Sequence, residues 1–352
     1  MLSILNILKK HQDERKKTAA ASGGPSGKSD TCAGTGANHR VSISSALLKE
    51  PDSEQAVRTQ EIYLQCLSVT DNLYQRGGVR DPDLKEKITH CAESLVRELS
   101  DGSYDIVLQA LKDYPSEAFM SRHALNVAIF SIEIGLGLGF AHQSLVPLAV
   151  SCLVHDVGSA AYLDLIYKSS VFTPEERTAV REHPMHGPEV LHQVGGFSVE
   201  VVEAIGQEHE RLDGSGYPKG LKDAHICEYA QIIGLADVYE AMTHARPYRV
   251  KYAAADAMQA LLNAKQAFSS KLMKMLIERI GIFPLGSLVR LNTKEVARVI
   301  TGNSVLPLRP AVQVLLDAQG KEMQQAKDID LARNPLIYIE ECLDCLKKTD
   351  DK

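Results

Sequence analysis

Leu145-Val-Pro-Leu-Ala-Val-Ser-Cys-Leu-Val154 is apolar on nearly every side and runs straight into His155-Asp156. A surface helix carries a polar stripe, so this stretch reads as a helix surrounded by protein, and Ser121 to Phe140 reads the same way. The two are expected to form the core of the main domain, with Gly158 ending the second. Outward from them, helical signals recur at Pro174 to Glu182, with Thr173 as cap and Pro in the first turn, then at Ser198 to Gln207, Tyr229 to Ala241 and Ala253 to Ala264. Between Ser121 and about Ile280 almost nothing alternates with period two, which predicts a helical domain. Ile62, Leu64, Cys66, Leu67, Val69 and Leu73, then Ile88, Cys91, Leu95, Val96 and Leu99, give a helical lead-in before it.

After Pro284 the pattern changes to short β-branched runs, Ser287 to Leu291, Val296 to Ile300 and Val312 to Leu316, separated by turn residues. The expected organisation is a largely disordered segment over 1–50, a helical lead-in over 51–115, a helical metal-binding domain over 116–283, and a small β-rich appendage with a C-terminal helix or tail over 284–352. The fold class is mainly α. A chain of 352 residues, 44% hydrophobic and 24% charged, has the composition of a folded globular protein. Its 39 basic and 45 acidic residues leave a formal charge of −6 without a long Lys/Arg block, which argues against binding a nucleic-acid duplex. The first ten residues carry only a short apolar run, so no integral membrane span is expected there. Seven scattered cysteines favour reduced thiols and a cytoplasmic setting. Cys342-Leu-Asp-Cys345 lacks a second pair and is expected in a helix without a functional role.

His155-Asp156 sits at the end of a rigid core helix, His123 within an apolar helix, and Asp237 within the equally apolar Ile232-Ile-Gly-Leu-Ala-Asp-Val238. Each is a polar group costly to bury without a partner, and several together on helices that pack point to a metal. Glu182-His183-Pro-Met-His186-Gly187 and Gln207-Glu208-His209-Glu210-Arg211 extend the set. Mixed imidazole and carboxylate donors suit manganese, iron or zinc, and a catalytic dinuclear centre more than a structural one. His186 and His192 are expected at the surface. The turn Gly214-Ser-Gly216-Tyr217-Pro218 lets backbone approach a ligand closely, with Tyr217 free to stack or to fix the loop. Lys219 and Arg211 are either solvated charges or ligand contacts.

His155-Asp156 with upstream His123 and later Asp237 resembles the HD phosphohydrolase superfamily, and Asp213-Gly-Ser-Gly-Tyr217-Pro218 narrows the resemblance to the HD-GYP subfamily. It runs from about Ser116 to Tyr252 and includes Ala236-Asp-Val-Tyr-Glu-Ala-Met242 and Arg246-Pro-Tyr-Arg249. The resemblance implies a bacterial signalling hydrolase, a phosphodiesterase that cleaves cyclic di-GMP to linear pGpG, GMP or both through a hydroxide bridging two divalent metal ions, iron or manganese. By position it implies His123, His155, Asp156, His183, Glu208, His209 and Asp237 as metal ligands, with Asp156 bridging and His155, Asp156 and Asp237 catalytic. Arg246 and Arg249 fall on the positions that hold substrate phosphate; beside them Tyr217, Gly216 and Arg211, read from the glycine-rich turn and its neighbours, are expected to bind substrate. A homodimer, or a signalling protein partner, is expected through the helical N-terminal region.

Departures from the family pattern weaken the expected activity. The first of the family's paired histidines is Glu208 here, its His-Asp-x-Gly-Lys ends in Ser159, and the position of a third-metal glutamate is Phe119. Two divalent ions less Asp156, Asp237, Glu208 and a hydroxide leave a formal charge of about zero, where a His at position 208 would leave about +1. Turnover is expected to be reduced or lost. The alternative reading is a cyclic-dinucleotide receptor or protein-interaction module with little or no catalysis.

Overall fold

The computed structural model describes residues 54–75, 80–114, 119–246 and 249–343. The expected disorder of 1–50, the charged tail 347–352 and Cys345 lie outside them. Helices α1 (Glu54–Gln75), α2 (Leu84–Ser100) and α3 (Asp105–Leu111) make the lead-in, followed by α4 (Phe119–Gly137) and α5 (His142–Val154). A 3-10 turn (Val157–Tyr162) leads to the short α6 (Leu163–Ile166), then α7 (Pro174–Val180), α8 (His183–Val194), α9 (Val199–Gln207), α10 (Glu228–Thr243), α11 (Ala254–Asn263) and α12 (Ser270–Ile280).

Helices α4, α5 and α10 have no polar face because they are enclosed: α4 packs against α5, α10, α1 and α12. One continuous core runs from Tyr63 to Ile280. The lead-in helices therefore share the main domain's core. Tyr63 donates from its hydroxyl to Asn126 Oδ1 at 2.9 Å, and Tyr74 to the Leu153 carbonyl at 3.0 Å, tying α1 to the two central helices. The exception in the expected lead-in face is Leu64, 49% exposed. The stretch His142–Ile166 is long and apolar enough to cross a membrane by length and composition, and 67% of its most apolar window is buried inside this fold.

Thr173 caps α7 as its sequence predicts. Its hydroxyl accepts from the Glu176 N–H while the Glu176 carboxylate accepts from the Thr173 N–H, closing a capping box. Gly158 does not terminate a helix. It lies inside the 3-10 turn, where a Cβ would stand 2.2 Å from the His183 carbonyl oxygen. The absent side chain lets α8 lie directly on the chain that follows Asp156, and so brings His183 to it.

The appendage is a five-stranded antiparallel sheet in the order β4-β3-β2-β1-β5, built from β1 (Leu288–Leu291), β2 (Val296–Thr301), β3 (Ala311–Leu316), β4 (Glu322–Asp330) and β5 (Ile339–Cys342). It has its own core, including Val289, Leu291, Val299, Val312, Val314 and Leu331. Cys342 ends a strand that pairs with β1, which corrects the expected helix there.

Candidate metal centre

The side chains expected as metal ligands converge from distant parts of the chain. His123 stands on α4, His155 and Asp156 follow α5, His183 opens α8, Glu208 and His209 follow α9, and Asp237 stands on α10. Asp156, His183, Glu208 and His209 each place a ligand atom within 4.8 Å of the others, and so do His123, His155 and Asp237. Asp156 spans the two groups. Its Oδ1 lies 3.2 Å from His183 Nε2, and its Oδ2 lies 3.4 Å from His155 Nε2 and 3.7 Å from His123 Nε2. Asp237 spans them from another side, with Oδ1 3.2 Å from His123 Nε2 and Oδ2 3.6 Å from His209 Nδ1. Glu208 is completely buried, its Oε1 3.3 Å from His183 Nε2 and its Oε2 3.9 Å from His155 Nε2.

Local hydrogen bonds aim the imidazoles. His155 donates from Nδ1 to the Cys152 carbonyl at 2.7 Å and His183 from Nδ1 to the Val180 carbonyl at 2.7 Å, while His123 Nδ1 meets Glu240 Oε2 at 2.5 Å. With Nδ1 engaged, the lone pair of each neutral ring sits on Nε2, facing the centre. Buried and without a hydrogen-bond partner are His155 Nε2, His209 Nδ1, Glu208 Oε2 and Asp237 Oδ2. Orphaned buried acceptors are costly, and these converge on one volume. A divalent cation satisfies them together, and the mix of imidazole and carboxylate suits manganese, iron or zinc. Protons are the substitute in its absence. Burial lowers the pKa of His155, but Glu208 and Asp156 overcome it and hold the imidazole up at about 10.

Glu240, within the Ala236–Met242 motif, is a functional candidate beyond those expected from the sequence. Its carboxylate is completely buried and fully engaged. Tyr114 donates to Oε1 at 2.6 Å and Asn126 to Oε1 at 3.4 Å, while Arg246 Nη2 donates to Oε2 at 2.8 Å beside His123 Nδ1. Burial works to raise its pKa, yet His123, Arg246 and His244 keep it well below the usual carboxylate range. One carboxylate thus orients the His123 imidazole and tethers the Arg246 guanidinium. The available signal was an acid one helical turn beyond Asp237 in an otherwise apolar helix. Glu210 was also missed as a structural element: it accepts from the backbone N–H groups of Lys219 at 2.7 Å and Leu221 at 2.9 Å, fixing the glycine-rich loop.

The residues expected around the substrate divide. A cavity reaching the cluster is lined by His123, Asp156, His183, His209 and Asp237, by Ser159, Tyr217 and Arg246, and by an apolar wall of Met120, Ile166, Phe172, Val180 and Ala241. Arg246 and Tyr217 therefore border it. Arg249 does not: its guanidinium donates to the Ala241 and Val250 carbonyls and lies over the Tyr252 ring, so it caps the end of α10. Arg211 is buried away from the cavity and donates to the carbonyls of Glu208 at 3.0 Å and Glu210 at 2.7 Å, holding the turn that carries Glu208 and His209. Gly216 faces protein, since a Cβ there would lie 2.4 Å from the Arg211 nitrogen. Ser159 donates to Asp156 Oδ1 at 3.1 Å. Phe119 lies under the Arg246 guanidinium, 4.8 Å from ring centroid to Cζ. His186 and His192 stand outside the cluster.

Residues 107–271 match the HD domain family, and residues 288–347 match the KOW domain associated with HD domain. A cyclic di-GMP phosphodiesterase of Pseudomonas aeruginosa is 29% identical over 259 residues, 72% of this chain and 63% of that protein. A cyclic di-GMP phosphodiesterase of Borreliella burgdorferi is 26% identical over 55% of this chain and 52% of its own length. A 3'3'-cGAMP-specific phosphodiesterase of Vibrio cholerae is 37% identical over 37% of this chain and 30% of its own. The matched part is thus less than two thirds of each of these relatives. Among solved structures, an HDG"Y"P protein from Bdellovibrio bacteriovorus superposes with a TM-score of 0.52 over 66% of this chain and 74% of its own, at 18% identity, a likeness of fold.

Proposed function

We propose that the chain, whose residues 107–271 match the HD domain family, is a cytoplasmic phosphodiesterase of the HD-GYP type that hydrolyses cyclic di-GMP to pGpG, GMP or both, using two divalent ions, iron or manganese. The observation that carries this reading is the set of orphaned buried acceptors arranged on both sides of Asp156, beside a tethered arginine. His123, His155, Asp156, His183, Glu208, His209 and Asp237 would hold the ions. Bound there, the ions supply Lewis acidity toward the phosphate and a lowered pKa for water.

The protein's own side chains set the rest. Arg246, held by Glu240 and bordering the cavity, presents fixed positive charge to the phosphate oxygens, where charge grows in the transition state. Ser159 orients Asp156 by donating to Oδ1, and so provides a positioning hydrogen bond where the family pattern has a lysine cation. Tyr217 stacks on His209 with ring centroids 4.7 Å apart, covering that ligand from solvent. The apolar wall of Met120, Ile166, Phe172 and Val180 excludes water and lowers the local dielectric, which strengthens each of these contacts.

A second reading, a cyclic-dinucleotide receptor with little turnover, is favoured by Glu208, a buried carboxylate that cancels a unit of positive charge at the centre. The two readings separate in one experiment. The protein is loaded anaerobically with iron or manganese, bound metal is quantified, and cyclic di-GMP is followed by chromatography beside an Asp156→Ala control. Release of pGpG or GMP that depends on Asp156 supports the phosphodiesterase; loaded metal and bound, uncleaved nucleotide support the receptor.

A further inference from the structure

Next to Val180 and Tyr217, which line the cavity, lies a second cationic feature. Val180, the last residue of α7, lines the cavity, and the next residue, Arg181, lays its guanidinium over the ring of Tyr217 at 4.7 Å. His209, Tyr217 and Arg181 thus form a continuous run from the metal-facing cluster to the surface, each step 4.7 Å. Arg177 stands one helical turn before Arg181, on the same face of the chain. Both arginines are half-buried and the Nε of each is buried without a partner.

No carboxylate neutralises this pair among the described residues. Glu176, on the same helix, is taken by the Thr173 N–H and by Lys168 at 2.7 Å. Like charges at i and i+4 repel, and an unpartnered buried N–H is costly, so the arrangement is unfavourable for the empty protein. An anion beside the pair relieves both. The planar guanidinium, held by the aromatic ring, carries N–H donors in the fork that suits a bidentate contact with phosphate.

A cyclic dinucleotide carries two phosphodiesters, and only one of them can be the reacting group at the centre beside Arg246. We propose that Arg181, supported by Arg177, forms an anion subsite that takes the second, non-reacting phosphate and orients the ligand across Tyr217. The subsite compensates for the cation missing at Ser159. This inference rests on the proposed action on cyclic dinucleotides.

The test compares two substrates of the metal-loaded full chain: cyclic di-GMP, with two phosphates, and bis(p-nitrophenyl) phosphate, with one. Arg181→Gln is expected to raise KM for cyclic di-GMP about 10- to 100-fold, the loss of charge-assisted hydrogen bonds, while kcat changes much less. The effect on kcat/KM for the single-phosphate substrate is expected to be at least about tenfold smaller. Arg181→Lys keeps charge without the planar fork and falls between the parent and Arg181→Gln. Arg177→Gln moves KM in the same direction by less. Circular dichroism and bound metal confirm that each variant is folded and loaded. Equal loss on both substrates, or an unchanged KM for cyclic di-GMP in Arg181→Gln, overturns the subsite while leaving the phosphodiesterase standing. A loaded parent chain that neither cleaves nor binds cyclic di-GMP overturns both.

Discussion

Glu208, beside His155, and Glu240, beside His123, are two completely buried glutamates whose surroundings are opposite in kind. Glu240 meets Tyr114, Asn126, His123 and Arg246, so the protein supplies its counter-charge and its pKa falls. Glu208 meets imidazoles that also face one another, keeps Oε2 unpartnered, and burial pushes its pKa up against the pull of His155. The difference separates a carboxylate whose two oxygens are both met by protein donors from one that keeps an oxygen open to an ion. A cluster of buried acids and imidazoles is evidence for a metal when its acceptors are left over, and the neighbouring network shows what the same residue type looks like when none are.

Changes at Asp156 should break the unfinished side most severely. Asp156→Ala removes the carboxylate with an oxygen in each group, and is expected to lower metal content and to reduce hydrolysis at least about 10³-fold; metal analysis and a chromatographic assay check it. On the completed side, Glu240→Ala leaves the Arg246 charge buried without its carboxylate. It should cost about 3–5 kcal/mol of stability, read by denaturant unfolding of the metal-free chain. Glu240→Gln keeps the shape but weakens the grip on His123 Nδ1, and is expected to lower metal affinity about 10- to 100-fold by calorimetry with modest loss of stability.

Making position 208 an imidazole sharpens the contrast in the other direction. Glu208→His restores a unit of positive charge at the centre and should raise kcat/KM about tenfold, some 1.4 kcal/mol, at matched metal occupancy. A lowered or unchanged value contradicts the electrostatic account. The smallest effect is in pH. In the metal-free chain His155 holds its proton up to about 10, against an ordinary value of 6.5, so its contribution to stability is complete below about 6.5 and is lost as pH rises through 10. The Tm of the metal-free chain should fall across that window, and the metal-loaded chain, in which cations replace those protons, should resist the fall.

Much of this contrast was legible in the sequence. Helices enclosed by protein have no polar stripe, so His123 and Asp237 stood out as polar residues in apolar surroundings, and His155-Asp156 marked the end of a core helix. The candidate ligands, which the fold does bring together, follow from that pattern together with the family resemblance. The use of the same residue type for packing was not legible. Arg211 and Arg249 carry the charge a phosphate needs, but the first is drawn inward by carbonyls of its own turn and the second by the end of α10. Gly158 reads as a helix stop and acts as a contact surface, because a glycine's local preference does not reveal which backbone lies against it. Strand β4, Glu322–Asp330, is largely exposed and lacks alternating apolar residues, so only its pairing with β3 identifies it. Arg181 lies a residue beyond a short helix and gains its meaning from Tyr217, far along the chain.

The most direct measurement is the metal content and position in anaerobically prepared protein, by elemental analysis and anomalous diffraction. The account predicts about two ions per chain, one on each side of Asp156, and their loss in Asp156→Ala. A fully reconstituted preparation with no ion among His123, His155, His183, His209 and Asp237 would contradict it.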